Sequence, residues 1–203
     1  MLYSRVPFQS ASLRAALEVL GEILADRGLS HDIAVIGGGA LLLGGYIDRP
    51  TKDLDIVARI VGGTWTLAEP MPADLVEAVR DVGAALDLAQ TWLNSGPTSL
   101  FTAGLPIGFA ERAEVHRFGS LTVRLASRVD QIAFKVYAAA DHWPLQGKHL
   151  QDLRALAPTK AEVRLAARWC ATHDPSDGFR DVQLAPVLAL FGVFAGAVGN
   201  ADD

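Results

Sequence analysis

Ile33-Ala34-Val35-Ile36-Gly37-Gly38-Gly39-Ala40 and, after eight intervening residues, Arg49-Pro50-Thr51-Lys52-Asp53-Leu54-Asp55-Ile56 decide how this chain is read. Asp32 to Ile36 is a short β-branched run, which predicts a buried strand ending in a tight turn at the three glycines. Ala40 to Tyr46 reads as a short helix leaving that turn. From Asp53 to Ala58 acid and apolar residues alternate at first, as on a strand with two unlike faces. At i and i+2, Asp53 and Asp55 project from one face, while Leu54 and Ile56 project from the other into the core. Carboxylates held side by side repel each other unless a cation lies between them. Mg²⁺ meets that demand, since it takes one or two carboxylates together with phosphate oxygens. An isolated Asp-x-Asp is also what a solvated strand edge carries, so the glycines matter. A glycine turn lets backbone approach a ligand closely and points N–H groups at an anion. The two halves together predict a nucleotide site. It is not a Walker loop, because no Lys-Ser or Lys-Thr pair follows the glycines. It is not a dinucleotide fingerprint either, because Leu42 stands where the last glycine of that motif belongs.

Outward from this stretch the pattern is regular. Residues 11 to 27 carry apolar side chains at 13, 16, 17, 20, 23 and 24, a helical stripe. A second helix fits 72 to 89, with Pro72 near its first turn. Residues 113 to 118 and 121 to 126 read as a hairpin joined by Gly119-Ser120. From Arg128 the pattern becomes helical over 128–141, 148–157, 159–173 and 179–195. Breaks fall at Pro144 with Gly147, Pro158, Pro175 with Gly178, and Gly196. The prediction is an α+β (α/β) fold: a mixed β-sheet flanked by helices, then a C-terminal helical bundle. Residues 1–127 form the α/β core, and residues 128–203 the helical portion that completes the site.

The composition agrees with a packed domain. The chain has 203 residues, half of them apolar and a fifth charged. That excludes disorder, a fibre and a disulfide scaffold. The net charge of −5 excludes a uniformly basic nucleic-acid binder but leaves room for a local basic patch. Cys170 is the only cysteine and reads as a small buried helix residue, so a reducing cytoplasm is the expected location. The N-terminal MLYSRVPFQS has no apolar signal core. Ile33 to Ile47 is too short to span a bilayer. Val182 to Gly199 is interrupted by Gln183, Pro186 and three glycines. No membrane association is expected.

Gly38-Gly39, thirteen intervening residues and Asp53-Leu54-Asp55 resemble the signature of the nucleotidyltransferase superfamily of the DNA polymerase β type. The wording Arg-x-Thr-x-Asp-Leu-Asp-Ile is similar, more narrowly, to AbiEii-type toxins of abortive-infection and toxin–antitoxin systems. Downstream, Ala126-Ser127-Arg128-Val129-Asp130-Gln131-Ile132-Ala133-Phe134-Lys135 resembles that group's helix with a positioned lysine. Lys148-His149-Leu150-Gln151-Asp152-Leu153 resembles its following Lys/Arg-x-x-x-Asp-Leu motif. The resemblance spans roughly residues 30 to 175, in order.

The resemblance implies transfer of a nucleoside monophosphate from an NTP to a hydroxyl, with roles for particular residues. Asp53 and Asp55 would act as catalytic acids holding Mg²⁺, with Mn²⁺ as an acceptable substitute. Gly38 and Gly39 would meet the triphosphate. Lys135 would neutralise phosphate charge; otherwise it pairs with Asp152 or extends to solvent. Asp152 would be an active-site acid. Lys148 shares a helix face with it at i, i+4 and would contact phosphate or acceptor. Arg49 and Thr51 either touch phosphate or shape the chain ahead of the acid pair. Many superfamily members carry a third metal-binding acid on a later strand. Here Glu114 is the only acid in the hairpin: either it serves, or Asp152 substitutes from the helices, or a single metal ion binds. Arg112, Arg117, Arg124 and Arg128, with His116, would form a basic strip for a tRNA or other nucleic-acid acceptor; ordinary solvated arginines are the alternative. A protein hydroxyl is another acceptor the resemblance allows, and a cognate antitoxin is an implied partner. Two rival readings stay open: a catalytically silent nucleotide- or partner-binding protein of this fold, and a small-molecule (antibiotic-type) nucleotidyltransferase. The five histidines lack ligand spacing for zinc, and Ser127 lacks partners for hydrolase chemistry.

Overall fold

A computed structural model of the chain describes residues 7–142 and 147–194. The expected break at Pro144 and residues 195–199 of the apolar C-terminal run lie outside these. The chain is an α+β protein: a mixed sheet flanked by helices. It divides into two compact units, residues 1–105 with 110–126, and residues 106–109 with 127–203. Among the described residues no helix is long and apolar enough to cross a membrane.

The first unit is built on a sheet that has six strands among the described residues, in the order β3 (Thr64–Leu67), β2 (Leu54–Val61), β1 (His31–Ile36), β6 (Leu121–Leu125), β5 (Glu114–Phe118), with β4 (Leu93–Asn94) also on β2. The central strand β1 (His31–Ile36) is buried at every position from Ile33 to Ile36, so both of its faces are covered. It runs antiparallel to β2 (Leu54–Val61) and parallel to β6 (Leu121–Leu125). β3 (Thr64–Leu67) returns from β2, and β5 (Glu114–Phe118) forms the expected hairpin with β6. The ladder between β1 and β2 contains a bulge. Ala34 faces Ala58 and Val35 faces Ile56, which leaves Val57 as the extra residue. Bulges bend a strand and re-aim the side chains beyond them, and Asp55 lies two residues beyond this one.

α1 (Ser10–Asp26) presents the stripe read from the sequence. Leu13, Leu17, Leu20 and Leu24 are fully buried, and the helix packs against β5, β6 and α3 (Ala73–Ala85). Gly21 lies in that stripe because α1 and the hairpin touch backbone to backbone. A Cβ there would fall 1.7 Å from the Phe118 carbonyl oxygen. Two expectations shift in this unit. The glycines do not precede a helix beginning at Ala40; they are its first turn, since α2 is Gly37–Leu43. The helix expected over 72–89 stops at Ala85, and Leu88 instead donates its N–H to the Gly83 carbonyl. Four elements stand where the sequence pattern predicts none: β3, the two-residue β4 (Leu93–Asn94), α4 (Thr98–Ala103) and α5 (Phe109–Arg112).

The second unit is helical and centred on α6 (Arg128–Asp141), which packs against α7 (Lys148–Ala155), α8 (Lys160–His173) and the segment after it. That segment is not one helix over 179–195. It is a π-helical stretch, Gly178–Leu184, continuing into α9 (Ala185–Ala189). Aromatic edges fill the core: Phe109 against Phe134, Phe134 against Trp169, and Tyr137 against Trp169 and Phe179. Cys170 is buried in α8, and burial pushes its thiol up from the ordinary value. Ser127 serves as N-cap: its hydroxyl accepts from the Asp130 N–H and donates to the Asp130 carboxylate at 2.6 Å.

Gly21→Ala therefore lowers stability by about 1–3 kcal/mol in urea unfolding, because backbone, not a flexible side chain, must move. Gly178→Ala is the control. It has open space around it and stays within about 0.5 kcal/mol of wild type.

Candidate functional site

Each glycine of the first turn of α2 lies against a particular part of the Arg49–Asp55 run. Gly37 has φ +79°, in the left-handed region, and a Cβ there would meet an Asp55 carboxylate oxygen at 2.7 Å. A Cβ on Gly38 would meet the Thr51 hydroxyl at 3.1 Å and an Arg49 guanidinium nitrogen at 3.2 Å. A Cβ on Gly39 would meet the Asp53 carbonyl oxygen at 2.7 Å and Leu54 Cδ1 at 2.8 Å. So the motif is a contact as well as a spacing. Gly39 is buried and is glycine because β2 leaves no room for a side chain. Gly37 and Gly38 are half-buried beside the polar residues.

Asp55 faces Ile36 across the ladder and is half-buried, while Leu54 and Ile56 are fully buried, as the alternation predicts. Asp53 stands just ahead of β2, which begins at Leu54. Thr51 is a buried structural residue. Its backbone pairs with Phe8, and its hydroxyl donates to the Asp53 carbonyl at 3.3 Å. Thr51 thus shapes the chain before the acid pair. Arg49 donates from Nη1 to the Pro50 carbonyl at 3.3 Å and is half-buried.

One contributor went unread in the sequence. β4 runs parallel to β2, with Leu93 beside Leu54 and Asn94 beside Asp55. Asn94 Nδ2 donates to Asp55 Oδ1 at 3.1 Å, and Asn94 Oδ1 accepts from the Gly96 N–H at 2.8 Å. A two-residue strand carries no periodicity; its signal is the buried Trp92-Leu93 pair before a polar turn. Asn94 also lines a cleft of about 320 Å³ with Glu69, Met71, Arg80, Leu93 and Ser95.

Glu114 does not complete the acid pair. It lies on β5, three strands from β2 in the order β2-β1-β6-β5. At roughly 4.8 Å per strand that is about 14 Å. Among the described residues no three His, Cys, Asp or Glu side chains gather as metal ligands.

Two of the arginines expected in the basic strip are ion-paired within their own units. Arg124 makes a bidentate pair with Asp32, at 2.8 and 2.7 Å. In the second unit Arg128 binds Glu162 and donates to the Leu156 and Ala157 carbonyls. Arg128 holds the Glu162 carboxyl below its ordinary value. These two charges serve the fold.

Also in the second unit, Lys135 does not extend to solvent. It is 3% exposed, and its Nζ lies 2.7 Å from Asp152 Oδ2. Asp152 pairs with Lys135 from the neighbouring helix; Lys148, at the first position of α7, is exposed. His149 lies beside this pair, its ring 4.8 Å from that of His142. Burial first, then the positive charges of Lys135, His142 and Lys148, pull His149 down to about 4 against the opposing effect of Asp152. Among the described residues its buried Nδ1 has no hydrogen-bond partner.

No protein-family model, curated protein or solved structure matches this chain.

Lys135→Met or Asp152→Leu alone leaves an uncompensated buried charge and costs about 3–5 kcal/mol in urea unfolding. The double variant costs less than either single one, and additive losses would refute the pairing. His149 stays neutral in the folded chain between its ordinary 6.5 and about 4, while the unfolded chain takes up a proton there. Its contribution to stability is complete above 6.5 and is lost as pH falls toward 4. The urea midpoint therefore drops over that window, and His149→Gln flattens the drop.

Proposed function

We propose that the chain is a metal-dependent nucleotidyltransferase that moves a nucleoside monophosphate from an NTP to a hydroxyl acceptor. The observation that carries this reading is the contact of Gly37, Gly38 and Gly39 with Asp55, Arg49, Thr51 and Asp53. It brings a glycine turn, the Arg49 guanidinium and the Asp55 carboxylate to one end of the β1–β2 pair, with the Asp53 backbone against Gly39.

In this reading Asp53 and Asp55 hold Mg²⁺ or Mn²⁺. A divalent cation bound there neutralises phosphate charge and makes the attacking hydroxyl more acidic. Arg49, beside Gly38, draws the triphosphate to the glycine side of Asp55. Asn94 and the cleft lie on the other side, because β1 and β4 flank β2 on opposite edges. In-line displacement needs this arrangement, with attacking and leaving oxygens on opposite sides of phosphorus. The acceptor oxygen forms a bond to the α-phosphorus while the bond to the bridging oxygen breaks. Pyrophosphate leaves with the electron pair, and the hydroxyl proton passes to water. The resemblance assigns phosphate neutralisation to Lys135, within its own unit the partner of Asp152. It further suggests a toxin that acts on tRNA and is restrained by an antitoxin.

A small-molecule acceptor is the second reading, favoured by the cleft beside Asn94 and by the ion pairs that occupy Arg124 and Arg128.

Incubation with α-labelled NTPs, Mg²⁺ and either total RNA or a panel of small hydroxyl compounds tests both. Wild type transfers label to one of the two acceptor classes, and Asp55→Asn loses at least about a hundredfold of that rate. Undiminished transfer by Asp55→Asn rejects the proposal. NTP binding without transfer to any acceptor supports the silent binding protein.

A further inference from the structure

We infer that Asn94 is a positioning residue for Asp55: its side-chain amide fixes the carboxylate for cation binding and occupies the place beside Asp55 where a third carboxylate would stand. The inference rests on the reading of Asp53 and Asp55 as a cation site.

Three observations on β4 carry it. The parallel pairing puts Asn94 directly beside Asp55, and the Nδ2 to Oδ1 bond at 3.1 Å joins the side chains. The Gly96 N–H, 2.8 Å from Asn94 Oδ1, fixes which end of the amide is oxygen, so the NH₂ group must face the carboxylate. The strand itself is anchored. Trp92 is fully buried, its indole N–H donates to the Val79 carbonyl at 3.0 Å, and its own carbonyl accepts from the Leu54 N–H at 2.7 Å. An NH₂ donor on one oxygen restricts rotation of a carboxylate and leaves lone pairs for a cation. A neutral amide does so without adding a third negative charge. The cation then takes its remaining oxygens from the substrate, and Asn94 tunes the site by orientation alone. Groups that orient metal ligands in this way typically contribute ten- to a hundredfold in affinity.

Mn²⁺ titration of the full chain without nucleotide, read by the electron paramagnetic resonance of free Mn²⁺, tests the assignment. Asn94→Leu raises the dissociation constant about tenfold with the fold intact by circular dichroism. Asn94→Asp, close to asparagine in size, places a carboxylate beside Asp55. That variant has a lower Tm than wild type without metal, binds Mn²⁺ more tightly, and gains more in Tm when Mn²⁺ is added. Tighter binding by this variant shows that the position of Asn94 lies within reach of the cation, and the loss in Asn94→Leu reads the amide itself. Asn94→Leu binding Mn²⁺ as wild type does, while Asp55→Asn binds it weakly, overturns the role of Asn94 and leaves the acid pair standing. Asn94→Asp binding more weakly than wild type overturns it too. Wild type and Asp55→Asn binding alike, or neither binding, overturns the cation site and this inference with it.

Discussion

Gly39 of α2 lies against the Asp53 carbonyl and Leu54 with no space for a side chain, and the arrangement of the site depends on that contact. It brings helix and strand closer than any Cβ allows. Once α2 is seated so, Gly38 falls beside Arg49 and Thr51, and Gly37 beside the Asp55 carboxylate. The other end of α2 is held by α1, whose Arg14 donates to the Leu43 carbonyl at 3.1 Å. The Leu13–Leu24 stripe fixes α1 on the sheet. Core packing and site geometry are thus one set of contacts, and a polar constellation is held by apolar surfaces behind it.

The elements legible in the sequence were those with enough length to repeat a pattern. The apolar stripe of α1, the β-branched run of β1 and the Gly119-Ser120 hairpin each left a local signature. What stayed hidden is decided by tertiary contact. β4 is two residues long and exists because Trp92 is drawn into the core. The Gly37–Gly39 run could open a turn or a helix, and burial against β2 settles it. The π-helical stretch at Gly178–Leu184 keeps a helical composition and differs only in its hydrogen-bond register. In the candidate site, Asp53 and Asp55 were visible because two acids alternate with buried residues, whereas Asn94 is one amide in a turn.

The same distinction separates the charges. Arg124, Arg128, Lys135 and Asp152 attract attention in the sequence as charged residues near apolar ones. Each has a partner inside its own unit: Asp32, Glu162, and one another. A buried pair such as Lys135 with Asp152 adds little net stability over an apolar pair, but neither member tolerates loss of the other. Each pair removes one positive and one negative charge, so the net charge of −5 is carried entirely by the residues outside these pairs.

The extra residue at Val57 separates spacing along the chain from geometry across the sheet. Side chains alternate along a regular strand, so one uncompensated extra residue would exchange the faces of everything beyond it. The bulge absorbs that residue: Val35 pairs with Ile56 and Ile36 with Asp55, the same partners that a regular ladder would give a strand one residue shorter. Asp55 therefore keeps its place beside Ile36 and Asn94 although the chain carries one residue more than the ladder counts. Motif spacing counted along the chain and motif geometry are separate quantities in this strand, and the bulge reconciles them.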